Sequence, residues 1–213
     1  MMLSGIAQNI AYFFVKTGFI KESDAEIYTY GYEILLSEII NWIITIIIAV
    51  LTKRIAESIF YTIAFMHIRE SIGGYHAKTH FRCTVLSAAV FAVCLWLIYI
   101  TPENIYPFLI IGGLALHMLL VLQFAPVAHP NKPFTDEREI AKFRGKSIKL
   151  SLFYGALCLV LLLLPQELCK VLSYGVMLGM ICASLSMFYE HVRQNKIYGE
   201  GRKYNEESEE GIV

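Results

Sequence analysis

Cys83 and His76, seven residues apart in the stretch RESIGGYHAKTHFRC (Arg69 to Cys83), are a candidate nucleophile and general base. On one unbroken helix that separation is about 10.5 Å of rise, too far for the thiol to pass its proton to the imidazole, so the chain between them must bend. The intervening residues permit it. Gly73 and Gly74 end whatever helix contains Arg69, and Thr79 is a natural N-cap for the next one. Cys83 then falls in that helix's first turn, and His76, just outside the cap, can fold back toward it. The positive end of a helix, with Arg82 and a protonated His76 nearby, favours the thiolate, which is the attacking species. The same residue types have plainer readings: a cysteine in an apolar helix as a small filler, a histidine at a membrane surface as an interfacial polar group. His76, His80 and Cys83 also form an H-x3-H-x2-C run with His67 nearby. Structural zinc sites, however, use four ligands in recognisable pairs, and neither C-x-x-C nor H-E-x-x-H occurs, so no metal is expected.

The elements that must position these residues are membrane helices. Of 213 residues, 56% are apolar and only 17% charged, and the mean hydropathy is +0.55, well outside the range of soluble domains. Five stretches are long and apolar enough to span a bilayer: Ile34 to Leu51, Thr84 to Ile100, Ile105 to Phe124, Ile148 to Leu164 and Val171 to Tyr189. A sixth, Ile55 to Ile68, is shorter and carries Glu57 and His67. The expectation is an all-α polytopic membrane protein with about six membrane helices. Leu3, Ile6, Ile10 and Phe14 recur at helical spacing, and no basic region precedes them, so the N-terminus reads as an amphipathic interfacial helix rather than a signal peptide.

With six spans and the N-terminus inside, the outer loops hold only Lys53, Arg54 and Lys170, and the other basic residues between spans fall on the cytoplasmic side. The stretch from Arg69 to Cys83 lies there too. The formal net charge is zero, which gives no hint of a nucleic-acid partner. Five cysteines, an odd number, argue against a disulfide framework. Residues 1–195 read as one membrane domain and 196–213 as a polar, disordered cytoplasmic tail. Gly175 and Gly179 form a G-x-x-x-G pair suited to close helix packing.

Glu33, Ser37 and Asn41, with Tyr30, share one face of the first span. An acid inside a membrane helix normally faces the protein interior. Glu33 can therefore orient the imidazole, contact substrate, or be a satisfied structural group. Lys142, Arg144 and Lys146 form a basic cluster able to hold an acidic substrate tail, although positive-inside sorting accounts for it equally.

The run R-x-x-x-G-G-Y-H-A from Arg69 to Ala77, the cysteine that follows at Cys83, FAPVAHPNKP from Phe124 to Pro133, and YGYE from Tyr30 to Glu33 resemble the accessory gene regulator B proteins, membrane cysteine endopeptidases of Gram-positive quorum sensing. The resemblance implies that Cys83 is the nucleophile and His76 its base, with Arg69, Gly73 and Gly74 in the catalytic segment. It also implies a short precursor of an autoinducing peptide as substrate. The C-terminal part of that precursor would be cut off, with assistance in closing a thiolactone or lactone ring. A homodimer in the bacterial cell membrane, a cytoplasmic active site and no cofactor are implied by the same likeness. A non-catalytic peptide transporter or export chaperone is the alternative, and an inert membrane scaffold a further one.

Overall fold

Every element of secondary structure among the described residues is helical apart from one isolated bridge. The structure, a computed structural model, describes residues 2–75, 77, 79–128 and 136–210, with backbone alone for Met2, His80 and residues 198–210. Seven α-helices succeed one another among these residues: α1 (Met2–Lys16), α2 (Ala25–Leu51), α3 (Ile55–Ile72), α4 (His80–Ile100), α5 (Tyr106–Phe124), α6 (Glu137–Leu163) and α7 (Glu167–Glu210). The all-α expectation holds. Five of them, α2 and α4 to α7, are long and apolar enough to cross a membrane. The expected count of six is therefore not met by length and composition. The stretch Ile55 to Ile68 is the body of α3, whose 18 residues carry Glu57, Arg69 and Glu70, too many charges for a span judged on its own.

The boundaries have local causes. Gly18, at φ 76°, comes after α1. Gly73, at φ 78°, ends α3 with its N–H on the Arg69 carbonyl at 3.1 Å, the left-handed stop that glycine tolerates best. Asp136 caps α6 by accepting from the Arg138 N–H at 3.3 Å. Pro165 lies just past the end of α6. The backbone of α7 runs on to Glu210, through residues that composition alone assigns to a disordered tail. The glutamates, lysine and arginine there are good helix formers.

The chain divides into two compact units, Met1–Ile55 with Ala77–Val93, and Ala56–His76 with Cys94–Val213. In the first, α1 lies on α2. Ala7 and Ala11 are buried, Phe14 stacks on Tyr32 with ring centroids 5.9 Å apart, and Tyr12 and Phe13 face outward. The inward stripe thus runs through Leu3, Ala7, Ala11 and Phe14. Ile6, expected on that face, is exposed.

In the second unit α7 is the central helix. Gly175 and Gly179 face α3: a Cβ at Gly179 would lie 2.5 Å from the Tyr61 carbonyl oxygen and 3.1 Å from the Phe65 nitrogen. The G-x-x-x-G pair serves packing within the chain. Buried polar side chains close locally. The Ser173 hydroxyl donates to the Cys158 carbonyl at 2.8 Å, His117 lies between the Ser151 hydroxyl (2.9 Å) and the Met180 carbonyl (3.1 Å), and the Ser147 hydroxyl donates to the Ser71 carbonyl at 2.9 Å. Each satisfies a group that would cost free energy if it stood bare in a water-free interior.

Candidate functional site

In the second unit the end of α3 passes into two glycines that no other residue could replace without a shift. At Gly73 a Cβ would run into the Val127 carbonyl, because this residue pairs with Val127 in the isolated bridge and the Val127 N–H donates to the Ile72 carbonyl at 2.9 Å. At Gly74, where φ is 141°, a Cβ would collide with the Arg69 guanidinium and lie 3.1 Å from the Met187 nitrogen. The loop after α5 and the stretch after α3, far apart in the sequence, are thus hydrogen-bonded neighbours. Arg69 reaches forward and donates through Nη2 to the Tyr75 carbonyl. Arg69, Gly73 and Gly74 are brought together as one bent segment.

The next residue, Tyr75, is held by α7. Its N–H donates to the Ser186 carbonyl at 3.1 Å, its ring meets Tyr189 edge-on at 5.1 Å, and the Arg193 guanidinium carbon sits 5.2 Å from the ring centroid. One turn beyond Ser186 is Glu190, fully buried. Its Oε1 accepts from Arg193 Nη2 at 2.9 Å and from Gln194 Nε2 at 3.0 Å, and the Gln194 amide also donates to the Ala128 carbonyl at 2.9 Å. Sequence reasoning gave no role to Tyr75 or Ser186 within the stretches it read, and it missed Glu190 and Gln194 because the last apolar span stops at Tyr189. The next five residues, EHVRQ, look like an ordinary membrane-water boundary. The signal present was an acid with Arg at i+3 and Gln at i+4, the spacing at which helix side chains meet.

His76 and Lys78 lie outside the described residues, as does the side chain of His80. His67 is engaged elsewhere: its Nδ1 is hydrogen-bonded to the Tyr154 hydroxyl at 2.5 Å.

In the first unit Cys83 occupies the first turn of α4. Thr79 is the N-cap, its hydroxyl accepting from the Arg82 N–H at 3.3 Å and its carbonyl from the Cys83 N–H at 3.1 Å. The thiol is free and half-buried. Cys94, Cys158, Cys169 and Cys182 are free as well, and Cys94 and Cys182 lie in the other unit with their sulfurs 3.4 Å apart. On α2, Glu33 and Asn41 are half-buried and Ser37 is buried, while Glu38 is exposed. The polar residues do share the less exposed face. Tyr30, expected with them, is 62% exposed and lies off it. The Ser37 hydroxyl turns back on the Glu33 carbonyl at 2.8 Å.

The basic residues of α6 do not converge on one point. Lys146 Nζ pairs with Glu70 Oε1 at 2.8 Å, and Arg144 Nη2 donates to the Leu122 carbonyl at 3.0 Å. Lys142 is exposed. The hydrogen bond from Lys146, and then its charge, hold the Glu70 carboxyl below the usual carboxylate range.

The family described as AgrB, accessory gene regulator B, matches the chain over residues 7–187. Among curated proteins, the chain is similar to one described only as AgrB-like from Clostridium acetobutylicum, 28% identical over 161 residues, covering 75% of this chain and 69% of the relative. It is similar to another so described from Clostridium perfringens, at 25% over 163 residues, 73% and 75% of the two chains. A third, from Listeria innocua, is 25% identical over 132 residues, 62% and 64%. No solved structure matches.

Proposed function

The chain belongs to the accessory gene regulator B family, a multi-pass membrane family of the quorum-sensing system, and on that premise we propose that it is a cysteine endopeptidase that cuts the C-terminal part from an autoinducing-peptide precursor. The observation that carries this reading is Cys83 in the first turn of a helix capped by Thr79. Sulfur so placed sits at the positive end of the helix, where the negative charge that develops on the attacked carbonyl oxygen is stabilised.

In the proposed cycle the Cys83 thiolate attacks the scissile carbonyl carbon, with His76 as the base. The C–N bond breaks, His76 gives its proton to the departing amine, and the N-terminal part of the precursor is left as a thioester on Cys83. A thiol or hydroxyl within the precursor then displaces Cys83, closing a thiolactone or lactone ring; water in its place would give the linear acid. An internal nucleophile held close has an effective molarity of about 10⁵ M or more in well-oriented cases, so ring closure outcompetes hydrolysis. The first amides of α4, which lack helical carbonyl partners, are the natural oxyanion donors. Glu33, Ser37 and Asn41 serve as an orienting or substrate-contacting face. Lys142, Arg144 and Lys146 attract an acidic tail, Lys146 by exchanging Glu70 for it. The precursor, the surrounding bilayer and a second copy of the chain are the partners.

The site is assigned to the cytoplasmic face of the cell membrane. In support, the ends of α3 and α5, the start of α6 and the C-terminal part of α7 meet through the Gly73–Val127, Lys146–Glu70 and Tyr75–Ser186 contacts. That end of the unit carries Arg69, Arg138, Lys142, Arg144, Lys146 and Arg193, as positive-inside sorting requires. α3 runs alongside α7, with Glu57 opposite Gly175, Tyr61 opposite Gly179 and Gly74 beside Met187. α7 thus covers the Glu57 and Tyr61 side of α3 and leaves Ile59, Ile63 and Met66 outward, which supports a sixth crossing by α3.

The test is reconstitution in lipid with a short precursor encoded beside the gene, read by mass spectrometry. Wild type releases the C-terminal fragment, Cys83→Ala loses cleavage by at least about 10³-fold, and His76→Ala is strongly impaired. Cleavage by Cys83→Ala at the wild-type rate sinks the proposal, and a transport role without chemistry then gains the ground.

A further inference from the structure

Glu190 is the most deeply buried acid among the described residues: its side chain is fully buried, and both groups that bond it reach other segments. Arg193 carries the connection to the Tyr75 ring and Gln194 carries it to the Ala128 carbonyl. One carboxylate oxygen therefore sits at the root of two tethers, one to the segment after α3 and one to the loop after α5. Those two strands of chain are themselves joined at Gly73 and Val127. From Tyr75 the chain leads directly to His76, so whatever fixes Tyr75 fixes the point from which the proposed base is presented.

A second feature separates this cluster from ordinary core packing. Glu190 Oε2 and Arg193 Nε are buried and have no hydrogen-bond partner among the described residues. The core polar groups of the same unit behave differently, with Ser173, His117 and Ser147 all closed on neighbours. Most buried polar groups are hydrogen-bonded, so a buried carboxylate oxygen and guanidinium nitrogen left open call for an explanation that the closed core groups do not, and a functional role is one.

We propose that Glu190 is a positioning residue of the peptidase: its buried carboxylate, acting through Arg193 and Gln194, holds Tyr75 and Ala128 and so sets the geometry of the catalytic segment. The proposal rests on the peptidase reading, since the effect on cleavage requires that reading to be right. The hold on Tyr75 itself does not depend on it. Arg193 is part of the device because a guanidinium can at once donate to a carboxylate and lie over an aromatic face, which a lysine does less well.

The experiment uses the full chain in lipid and has two arms. In the first, hydrogen–deuterium exchange is monitored at the Tyr75 amide without substrate. Glu190→Ala and the volume-conserving Glu190→Gln should both speed exchange there, Ala by more, with the α4 amides around Cys83 unchanged. In the second, precursor cleavage is measured on folded protein. Glu190→Ala should lower kcat by about 10²-fold, the order of loss that a 1 Å misplacement brings, with KM within about threefold. Glu190→Gln should fall between it and wild type, and Glu190→Asp should recover part of the loss. Because Glu190 acts through Tyr75, the pair Glu190→Ala with Tyr75→Leu should be no slower than the worse single variant. Unchanged exchange at Tyr75 overturns the proposal whether or not the protein is a protease. So do wild-type kcat in Glu190→Ala, or losses that multiply in the double variant. Failure of the peptidase reading shows differently, as wild-type protein that does not cut or Cys83→Ala that does.

Discussion

α2 and α7 are both long, apolar helices, yet 11% of the α2 span is buried within the protein against 67% of the α7 span. Hydropathy treats them alike because it records what a helix can dissolve in, not what it touches. The difference shows in where each keeps its polar groups. α7 buries Ser173, Ser184 and Glu190 against neighbouring elements. α2 leaves isoleucines, leucines and Trp42 outward and turns Glu33, Ser37 and Asn41 to its one less exposed side. The unit built on α7 is a packed scaffold in which small changes of volume are felt. The unit built on α2, which also carries Cys83, leaves more of the apolar surface of its long helix outward.

Four substitutions sharpen or break that contrast. The largest effect is expected at Gly74→Ala, where the new methyl meets the Arg69 guanidinium and the Met187 backbone at a φ of 141°. Precursor cleavage should fall by about 10²-fold or more, the cost of displacing a reacting group by an ångström, and cleavage within threefold of wild type would show that the segment relaxes without harm. Next is the pair Gly179→Ala and Gly31→Ala. The first forces a methyl against the α3 backbone and should cost about 1–3 kcal/mol. The second, inside α2 with nothing within 4 Å, should be neutral or stabilising by up to about 1 kcal/mol. Equal shifts in the detergent melting temperature of the two variants would erase the distinction between packed and open units.

The smallest concerns the surface. Lys146 lowers the Glu70 carboxyl, so the pair's contribution is present above the ordinary carboxylate range and is lost as pH falls through the lowered folded-state value. Both side chains are substantially exposed, and the contribution should be below about 0.5 kcal/mol. Lys146→Ala should remove this acid-dependent part of the melting curve and leave the rest.

The features legible in the sequence have short range. The ends of α3 and the start of α4 are set by Gly73 and Thr79, whose partners are Arg69 and Arg82, within four residues of each. The Glu33 face of α2 comes from helical periodicity, although Tyr30 at its edge does not share it. The G-x-x-x-G pair announced close packing, and only its partner, α3, was hidden. α3 itself was hard to classify because its charges are judged against lipid by composition and against α7 in the folded chain.

The sequence by itself determined the membrane class, the helices and the helix break marked by Gly73 and Thr79, since transfer from water, helix capping and glycine's left-handed freedom all act between near neighbours. Only the tertiary structure decided that Val127 pairs with Gly73, that Tyr75 rests on Ser186 and Arg193, and that Glu190 lies at the root of both tethers. Those contacts join residues 54 to 118 positions apart, and at that range burial and hydrogen-bond satisfaction across helices choose the partners.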